Sequence, residues 1–305
     1  MFRLFPAPVR GVIAGFLLGV NTVVTFSLMV LPALAKLLLP MGGVRRVADH
    51  MLNGLAAGWV RRNSWWMLAV GNVRWDVAGM DGLHARGWYL VSPNHRSWVD
   101  ILVLQRVFDR RIPFLKFFLK QELIWVPVIG LAWWALDFPF MKRGKSRGAQ
   151  ASDMAATRRS CEKFKTLPTS VINFVEGTRF TETKREQQSS PYRHLLKPKI
   201  GALSVALASM GEYFESLLDV TLVYPDGTPS FWNLLCGRVG TIVVRVQARR
   251  IPVDLLGGDI GTDKALRVRT GRWMQAQWAE KDQLIDEILS SHRAVGQQAQ
   301  AMSRT

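Results

Sequence analysis

His95 and Asp100, in the stretch Ser92-Pro93-Asn94-His95-Arg96-Ser97-Trp98-Val99-Asp100, are an imidazole and a carboxylate whose types and spacing suit acid/base work. Within one continuous helix, residues five apart are rotated by about 140° at 3.6 residues per turn and could not meet. Here the β-prone run 88–91 is stopped by Pro93, and Ser97 reads as a helix N-cap with Asp100 three residues on, which leaves His95 in the preceding loop. Across that break Asp100 can accept from one ring nitrogen, fix the tautomer and favour the imidazolium formed when the other nitrogen takes a proton from a hydroxyl. A substrate can supply that hydroxyl, so no side-chain nucleophile is required, and general-base help of this kind contributes ~10²–10⁴-fold. Taken alone, the stretch is equally well read as a solvent-facing histidine beside an ordinary capping box.

A second constellation shifts the balance. The apolar run 171–175 ends in Glu176-Gly177-Thr178-Arg179-Phe180. Gly177 permits a tight turn, Thr178 offers a hydroxyl, and Arg179 presents a planar fork suited to phosphate. By itself E-G-T-R fits a surface turn with a local ion pair; paired with N-H-x-x-x-x-D upstream it is far more specific.

Together these motifs make residues 81–225 resemble the glycerolipid acyltransferase family, which includes bacterial 1-acyl-glycerol-3-phosphate acyltransferases. His95 and Asp100 match its first motif, and Glu176, Gly177, Thr178 and Arg179 its third. Between them, Lys120-Gln121-Glu122-Leu123, followed by Pro127 and Gly130, resembles the family's lysine-x-glutamate-leucine segment, and Phe140-Met141-Lys142-Arg143 resembles its second motif. Two departures stand out. Asp137 occupies the place where the second motif usually begins with glycine, and Val220-Thr221-Leu222-Val223-Tyr224-Pro225 stands where a valine-proline-valine fourth motif is usual. The Tyr-Pro form, with Trp278-Ala279-Glu280-Lys281-Asp282-Gln283-Leu284, is similar to the lysocardiolipin and lysophosphatidylinositol acyltransferase branch.

The resemblance implies an α/β fold of the glycerol-3-phosphate acyltransferase type, a mixed sheet flanked by helices. It also implies O-acyl transfer to the free hydroxyl of a lysophospholipid, foremost 1-acyl-sn-glycerol-3-phosphate giving phosphatidic acid, with lysophosphatidylglycerol, lysocardiolipin or lysophosphatidylinositol as alternative acceptors. The donor would be an acyl carrier protein or coenzyme A thioester, and no resident cofactor is expected. Under that resemblance His95 and Asp100 are catalytic, Arg143 and Arg179 hold the acceptor phosphate, and Lys120, Glu176, Gly177 and Thr178 shape the pocket. Ser97 joins them at the helix start, whose backbone amides would stabilise the oxyanion.

Composition agrees. The chain has 305 residues, enough for one substantial α/β domain plus extra elements, and 40 Lys and Arg against 23 Asp and Glu give a formal charge of +17. Such a surplus suits an anionic partner, nucleic acid or anionic lipid. The N-terminus separates them: from Gly11 to Ala35 no charged residue appears, a run long enough to cross or enter a hydrocarbon core of ~30 Å. The run exceeds the ~7–15-residue core of a secretory signal, although Ala33-Leu34-Ala35 resembles a cleavage site, so retention is favoured. Arg3 and Arg10 precede it and Lys36, Arg45 and Arg46 follow, which gives no clear orientation and also fits a single-leaflet helix. Pro40 ends this helix. A second, over 47–70, carries Trp59, Trp65 and Trp66 near Arg61 and Arg62 and reads either as the other arm of a membrane hairpin or as a packed helix of the soluble part.

These patterns divide the chain into membrane-associated helices at 1–70, a catalytic domain at 71–235, and a strand and helix packing on it at 236–305. The last part contains a β-prone run over 241–249, a helix over about 263–291 and a disordered tail from Gln297 to Thr305. Aromatic residues between Phe114 and Phe140, Phe118 among them, suggest an acyl groove or a membrane-dipping face over ordinary core rings only as a group. Residues 181–190 read as a mobile loop and 142–147 as a solvated basic one. Cys161 and Cys236, far apart and outside any C-x-x-C, indicate reduced thiols and no metal framework. The expected location is the cell inner membrane with the catalytic domain in the cytoplasm. The competing readings are a membrane-anchored polyanion-binding protein and a structural adaptor.

Overall fold

A computed structural model describes residues 4–39, 41–117, 119–126, 129–138, 140–141, 155, 158–159, 161–162, 164–165, 167–258 and 260–302. The chain opens with a hairpin of two long helices, α1 (Ala7–Leu38) and α2 (Gly42–Val70). One stripe of α1 is buried, including Gly11, Ala14, Phe26, Met29 and Ala33, while Val12, Phe16, Val23 and Leu31 point outward and are exposed. Polar side chains tie the arms together across this apolar surface. Asn21 Nδ2 donates to Asn63 Oδ1 at 2.8 Å, Arg62 Nη2 to Thr25 Oγ1 at 2.7 Å, and Trp59 Nε1 to Thr22 Oγ1 at 3.1 Å. Directional bonds of this kind fix one register where greasy packing alone would allow sliding.

Then come β1 (Arg74–Ala78), β2 (Tyr89–Pro93), α3 (Val99–Phe108), β3 (Leu115–Phe117), β4 (Leu119–Lys120), α4 (Ile129–Ala135), β5 (Phe140–Met141) and β6 (Ser170–Ile172). They are followed by α5 (Glu182–Gln187), α6 (Gly201–Met210), β7 (Ser216–Val223), α7 (Phe231–Leu235), β8 (Thr241–Arg249) and α8 (Lys264–Met302). Among the described residues six strands form one mixed sheet in the order β1-β8-β7-β2-β6-β3, parallel except for the antiparallel β7–β8 pair, while β4 and β5 pair separately. Period-two alternation splits the sheet's side chains between two cores. Tyr89, Val91 and Ile172 pack with α2 and α3, whereas Leu90, Val171 and Val223 pack with α6 and α8. A third core joins Phe26, Met29 and Leu52 of the hairpin to Leu119, Leu136 and Phe138.

Several expectations change. β8 lies inside the sheet between β1 and β7, so a boundary at 235/236 would cut the sheet. Residues 181–190 contain α5, whose start is capped by Thr181 Oγ1 accepting from Lys184 N–H at 3.2 Å, with Glu182 and Arg185 paired at 2.9 Å one turn apart. Helix α8 runs through Met302, beyond the expected start of a disordered tail at Gln297, because Ala, Gln and Met sustain a helix past its last core contact. Helix α2 packs on α1 and, through Trp66, Met67 and Val70, on the sheet's core, as read for a packed helix. Of the aromatic cluster, Phe138 is buried core and Phe114, Phe117 and Trp133 pack on it, while Trp125 is exposed. Phe118 and the basic segment 142–147 lie outside the described residues.

Candidate active site

Strands β7, β2 and β6 are consecutive and parallel, so their carboxyl ends open on the same edge of the sheet. That edge receives Tyr224 after β7, His95 after β2 and Glu176 after β6, residues up to 129 positions apart in the chain brought together by strand pairing. Beyond Pro93 the ladder is continued by the Asn94 side chain, which accepts from Leu222 N–H at 2.7 Å and donates to Leu222 O at 2.9 Å.

His95 Nδ1 lies 2.8 Å from Asp100 Oδ2, and the imidazole stacks on Phe174 with ring centres 4.1 Å apart. Nε2 makes no hydrogen bond to the described residues and the side chain stays 16% exposed, so this nitrogen is the one open to a ligand. Asp100 is fully buried and accepts four hydrogen bonds. Oδ2 takes Arg96 N–H at 2.6 Å and Ser97 N–H at 2.9 Å besides the imidazole, and Oδ1 takes the Tyr224 hydroxyl at 2.6 Å. A carboxylate so surrounded at the positive end of α3 is a fixed acceptor. Burial beside it pushes the Tyr224 hydroxyl well above the ordinary tyrosine range.

Ser97 and Glu176 act differently from their expected substrate-binding roles. The Ser97 hydroxyl donates to Pro229 O at 2.6 Å and accepts from Val99 N–H at 3.1 Å, so it belongs to the helix start. The amides of Arg96 and Ser97, expected at an oxyanion, are occupied by Asp100. Glu176, also fully buried, spends Oε1 on His95 N–H at 2.8 Å and Oε2 on Leu196 N–H at 2.9 Å. It clamps two loops together. Burial raises its carboxyl to about 7, against the opposing pull of those two amides and of the Lys281 and Arg96 cations.

Gly177 has φ +69°, a left-handed turn conformation that a Cβ would strain, and a Cβ there would also meet the Lys199 side chain at 3.4 Å. Thr178 Oγ1 accepts from Lys184 Nζ at 2.8 Å. Arg179 is exposed, its guanidinium 4.8 Å over the Trp98 ring, on the same side of the sheet edge as His95, with Phe180 N–H bonded to His95 O at 2.8 Å. The Lys120 backbone lies in β4 beside β5, its side chain is outside the described atoms, and Arg143 lies outside the described residues. Sequence reasoning missed Tyr224 and Phe174 as partners of the pair. The signal for Tyr224 is present in the Tyr-Pro fourth motif, whose reading as a departure and a branch likeness gives its hydroxyl no partner. The other departure also finds its physical basis. Asp137 adopts φ +59°, the conformation that glycine takes without strain, and its carboxylate receives Lys36 Nζ at 2.6 Å.

Among the described residues no group of three or more His, Cys, Asp or Glu could hold a metal ion. Cys161 is buried, and its thiol is pushed up to about 12 by desolvation, which makes it a poor nucleophile. The arrangement can remove a proton from a hydroxyl at Nε2, and the turn bonded to His95 O carries in Arg179 a cation that suits phosphate.

Comparison with known proteins agrees. The profile of the Acyltransferase family matches residues 74–231. The 1-acyl-sn-glycerol-3-phosphate acyltransferase 2 of Arabidopsis thaliana is 26% identical over 229 residues, covering 70% of this chain and 55% of that protein. The gamma 1-acyl-sn-glycerol-3-phosphate acyltransferase of Mus musculus is 26% identical over 251 residues, 79% of this chain and 63% of that protein. The chain thus spans little more than half the length of such relatives. The crystal structure of the 1-acyl-sn-glycerophosphate (LPA) acyltransferase PlsC from Thermotoga maritima superposes with a TM-score of 0.50 at 15% identity, over 90% of this chain and 98% of that one. At that identity the likeness speaks for the fold.

Proposed function

Because the chain belongs to the acyltransferase family, we propose that it transfers a fatty acyl group from an acyl carrier protein or coenzyme A thioester to the free hydroxyl of a lysophospholipid, foremost 1-acyl-sn-glycerol-3-phosphate. The observation that carries this reading is the His95 Nδ1–Asp100 bond of 2.8 Å with Nε2 left open, in a loop bonded through His95 O to Phe180 N–H of the turn that carries Arg179. His95 Nε2 takes the proton of the acceptor hydroxyl, whose oxygen attacks the thioester carbonyl, and Asp100 stabilises the positive charge as it forms. The tetrahedral intermediate collapses, the C–S bond breaks, and the thiolate leaves with the proton from the imidazolium. Arg179, and Arg143 by its place in the motif, hold the acceptor phosphate. Lys120 is assigned to the same pocket, and the reaction needs no resident cofactor.

Helix α1 is the described helix long and apolar enough to cross a membrane. Two contacts favour an in-plane seat over a crossing. Near one end Gly11 packs against Trp232 and Cys236, and near the other Lys36 Nζ donates to Ala135 O at 2.8 Å. The helix between them rises about 37 Å at ~1.5 Å per residue, more than the ~30 Å hydrocarbon core, with the catalytic part held at both ends. The exposed stripe through Val12, Phe16, Val23 and Leu31 then enters one leaflet, the inner membrane's cytoplasmic leaflet in this reading.

The test offers purified wild type and His95→Ala protein a panel of lysophospholipids with both donor types and follows labelled acyl transfer by thin-layer separation. Turnover on lysophosphatidic acid that vanishes with His95→Ala is expected. Near-normal turnover by His95→Ala, or no transfer to any lysophospholipid by the wild type, defeats the reading.

A further inference from the structure

Helix α8 lies outside the matched residues 74–231, yet one of its faces reaches the back of the site. Trp278, Lys281 and Asp282 stand at i, i+3 and i+4, on one side of the helix. The Lys281 side chain is fully buried, and its ammonium reaches Asp219 Oδ1 at 2.6 Å, Ser92 O at 2.8 Å and Val220 O at 3.0 Å, 4.2 Å from the Trp278 ring centre. Ser92 and Val220 lie on the neighbouring strands β2 and β7 where β2 leaves the sheet, three residues before His95. Val220 O also accepts from Asn94 N–H at 3.4 Å, so the lysine and the start of the His95 loop share one carbonyl.

The other two residues hold the facing loop. Trp278 Nε1 donates to Leu196 O at 3.0 Å, and Asp282 accepts from His194 N–H at 2.7 Å and Arg193 N–H at 2.8 Å. That loop supplies Leu196 N–H to Glu176 and His194 O to Arg96 Nη1 at 3.2 Å. Taking an ammonium out of water is costly, and helix packing alone would be served as well by leucine or methionine.

We infer that Lys281, with Trp278 and Asp282, is a positioning residue of the acyl transfer: a brace that fixes the carboxyl ends of β2 and β7 and the 190–196 loop, and through them His95 and Glu176, without touching substrate. The inference rests on the acyl-transfer reading above. The charged groups around the Lys281–Glu176 axis are His95 and Arg96 from the β2–α3 loop, Asp100 from the first turn of α3, His194 from the facing loop, Asp219 from β7 and Arg249 from β8. The cations of Lys281 and Arg96 favour an ionised Glu176 against the burial that raises it. With the Lys281 cation gone, Glu176 keeps its proton to higher pH and holds the amides of His95 and Leu196 less well.

The experiment compares full-length Lys281→Met with wild type. Acyl transfer to lysophosphatidic acid is followed as kcat and KM from about pH 5.5 to about pH 9, together with residue-resolved amide hydrogen exchange. The expected result is a loss in kcat about tenfold greater at pH 7 than at pH 9, with KM within about twofold. Exchange at the His95 and Leu196 amides quickens while the β8 amides stay protected. Unchanged exchange at those two amides overturns the proposal. So does acceleration spread evenly over the sheet with unchanged kcat per folded molecule, which is what a merely structural lysine would give. If Lys281→Met does not fold, Trp278→Phe keeps an aromatic ring, though a smaller one, deletes the Nε1 bond to Leu196 O and puts the same question to the Leu196 amide. A wild type inert towards every lysophospholipid defeats acyl transfer alone, because the exchange comparison still judges the brace.

Discussion

Replacing Tyr224 by phenylalanine removes one oxygen and leaves the ring in place. The deleted hydroxyl donates to Asp100 Oδ1 at 2.6 Å, and both side chains are buried, so no water replaces it. A hydrogen bond to a charged acceptor contributes about 1.5–3 kcal/mol, and an acceptor left unsatisfied in the interior costs a comparable amount. Asp100 keeps three other donors, which limits the loss, so unfolding free energy should fall by about 2 kcal/mol in a denaturant titration. The bond to His95 Nδ1 survives on the other oxygen, so kcat for acyl transfer should drop about tenfold or less, with KM for donor and acceptor unchanged. Tyr224 touches Asp100 and not substrate. A Tyr224→Phe protein with a higher acceptor KM at full kcat would refute that placement, and one with wild-type stability would refute the hydrogen bond's contribution.

Glu176 makes activity and stability run in opposite directions with pH. Its carboxyl is raised from the ordinary 4.5 to about 7, so the folded state binds the proton more tightly; the stability this group contributes is complete below 4.5 and is lost as pH rises through about 7. At 1.36 kcal/mol per pH unit the loss is about 3 kcal/mol, read as wild type minus Glu176→Gln in urea titrations at stepped pH. Turnover should rise over the same window as the ionised carboxylate grips both amides, and parallel curves would rule this out. Lys36 sits between Asp49 at 2.8 Å and Asp137 at 2.6 Å, so Lys36→Met should destabilise by about 3 kcal/mol, and adding Asp137→Gly should restore part of it; equal stability of single and double variants in chemical unfolding would argue against the cluster. Trp98→Ala takes away the ring under Arg179, an exposed cation–π contact of about 0.5–1 kcal/mol, so acceptor KM should rise about twofold to fivefold at constant kcat, and an unchanged KM would free Arg179 from Trp98.

Local signals in the sequence carried a good deal. The charge-free run from Gly11 to Ala35 and the periodic segment after it correspond to α1 and α2, and the β-prone run 241–249 corresponds to β8, because apolar periodicity and breakers act over a few residues. The meeting of His95 and Asp100 was also readable, since Pro93 and the helix start at Ser97 dictate a turn between them. Even the small helix α5 could have been found from Thr181 followed by Glu182.

What the tertiary structure decided involves residues whose neighbours are distant in the chain. Glu176 has the look of a pocket acid, but the parallel pairing of β2 with β6 turns both of its oxygens onto backbone amides. Tyr224 looked like a variant motif until the β2–β7 pairing set its hydroxyl on Asp100, and Lys281 stood only as one residue of a branch-like motif until the sheet's carboxyl edge closed over it. Asp137 and Lys36 meet only because the hairpin docks along α4. Residue type and spacing determined which groups could do chemistry. Strand order and helix docking determined which of them bear on a substrate and which hold the others still, because those pairings form between segments that no local pattern links.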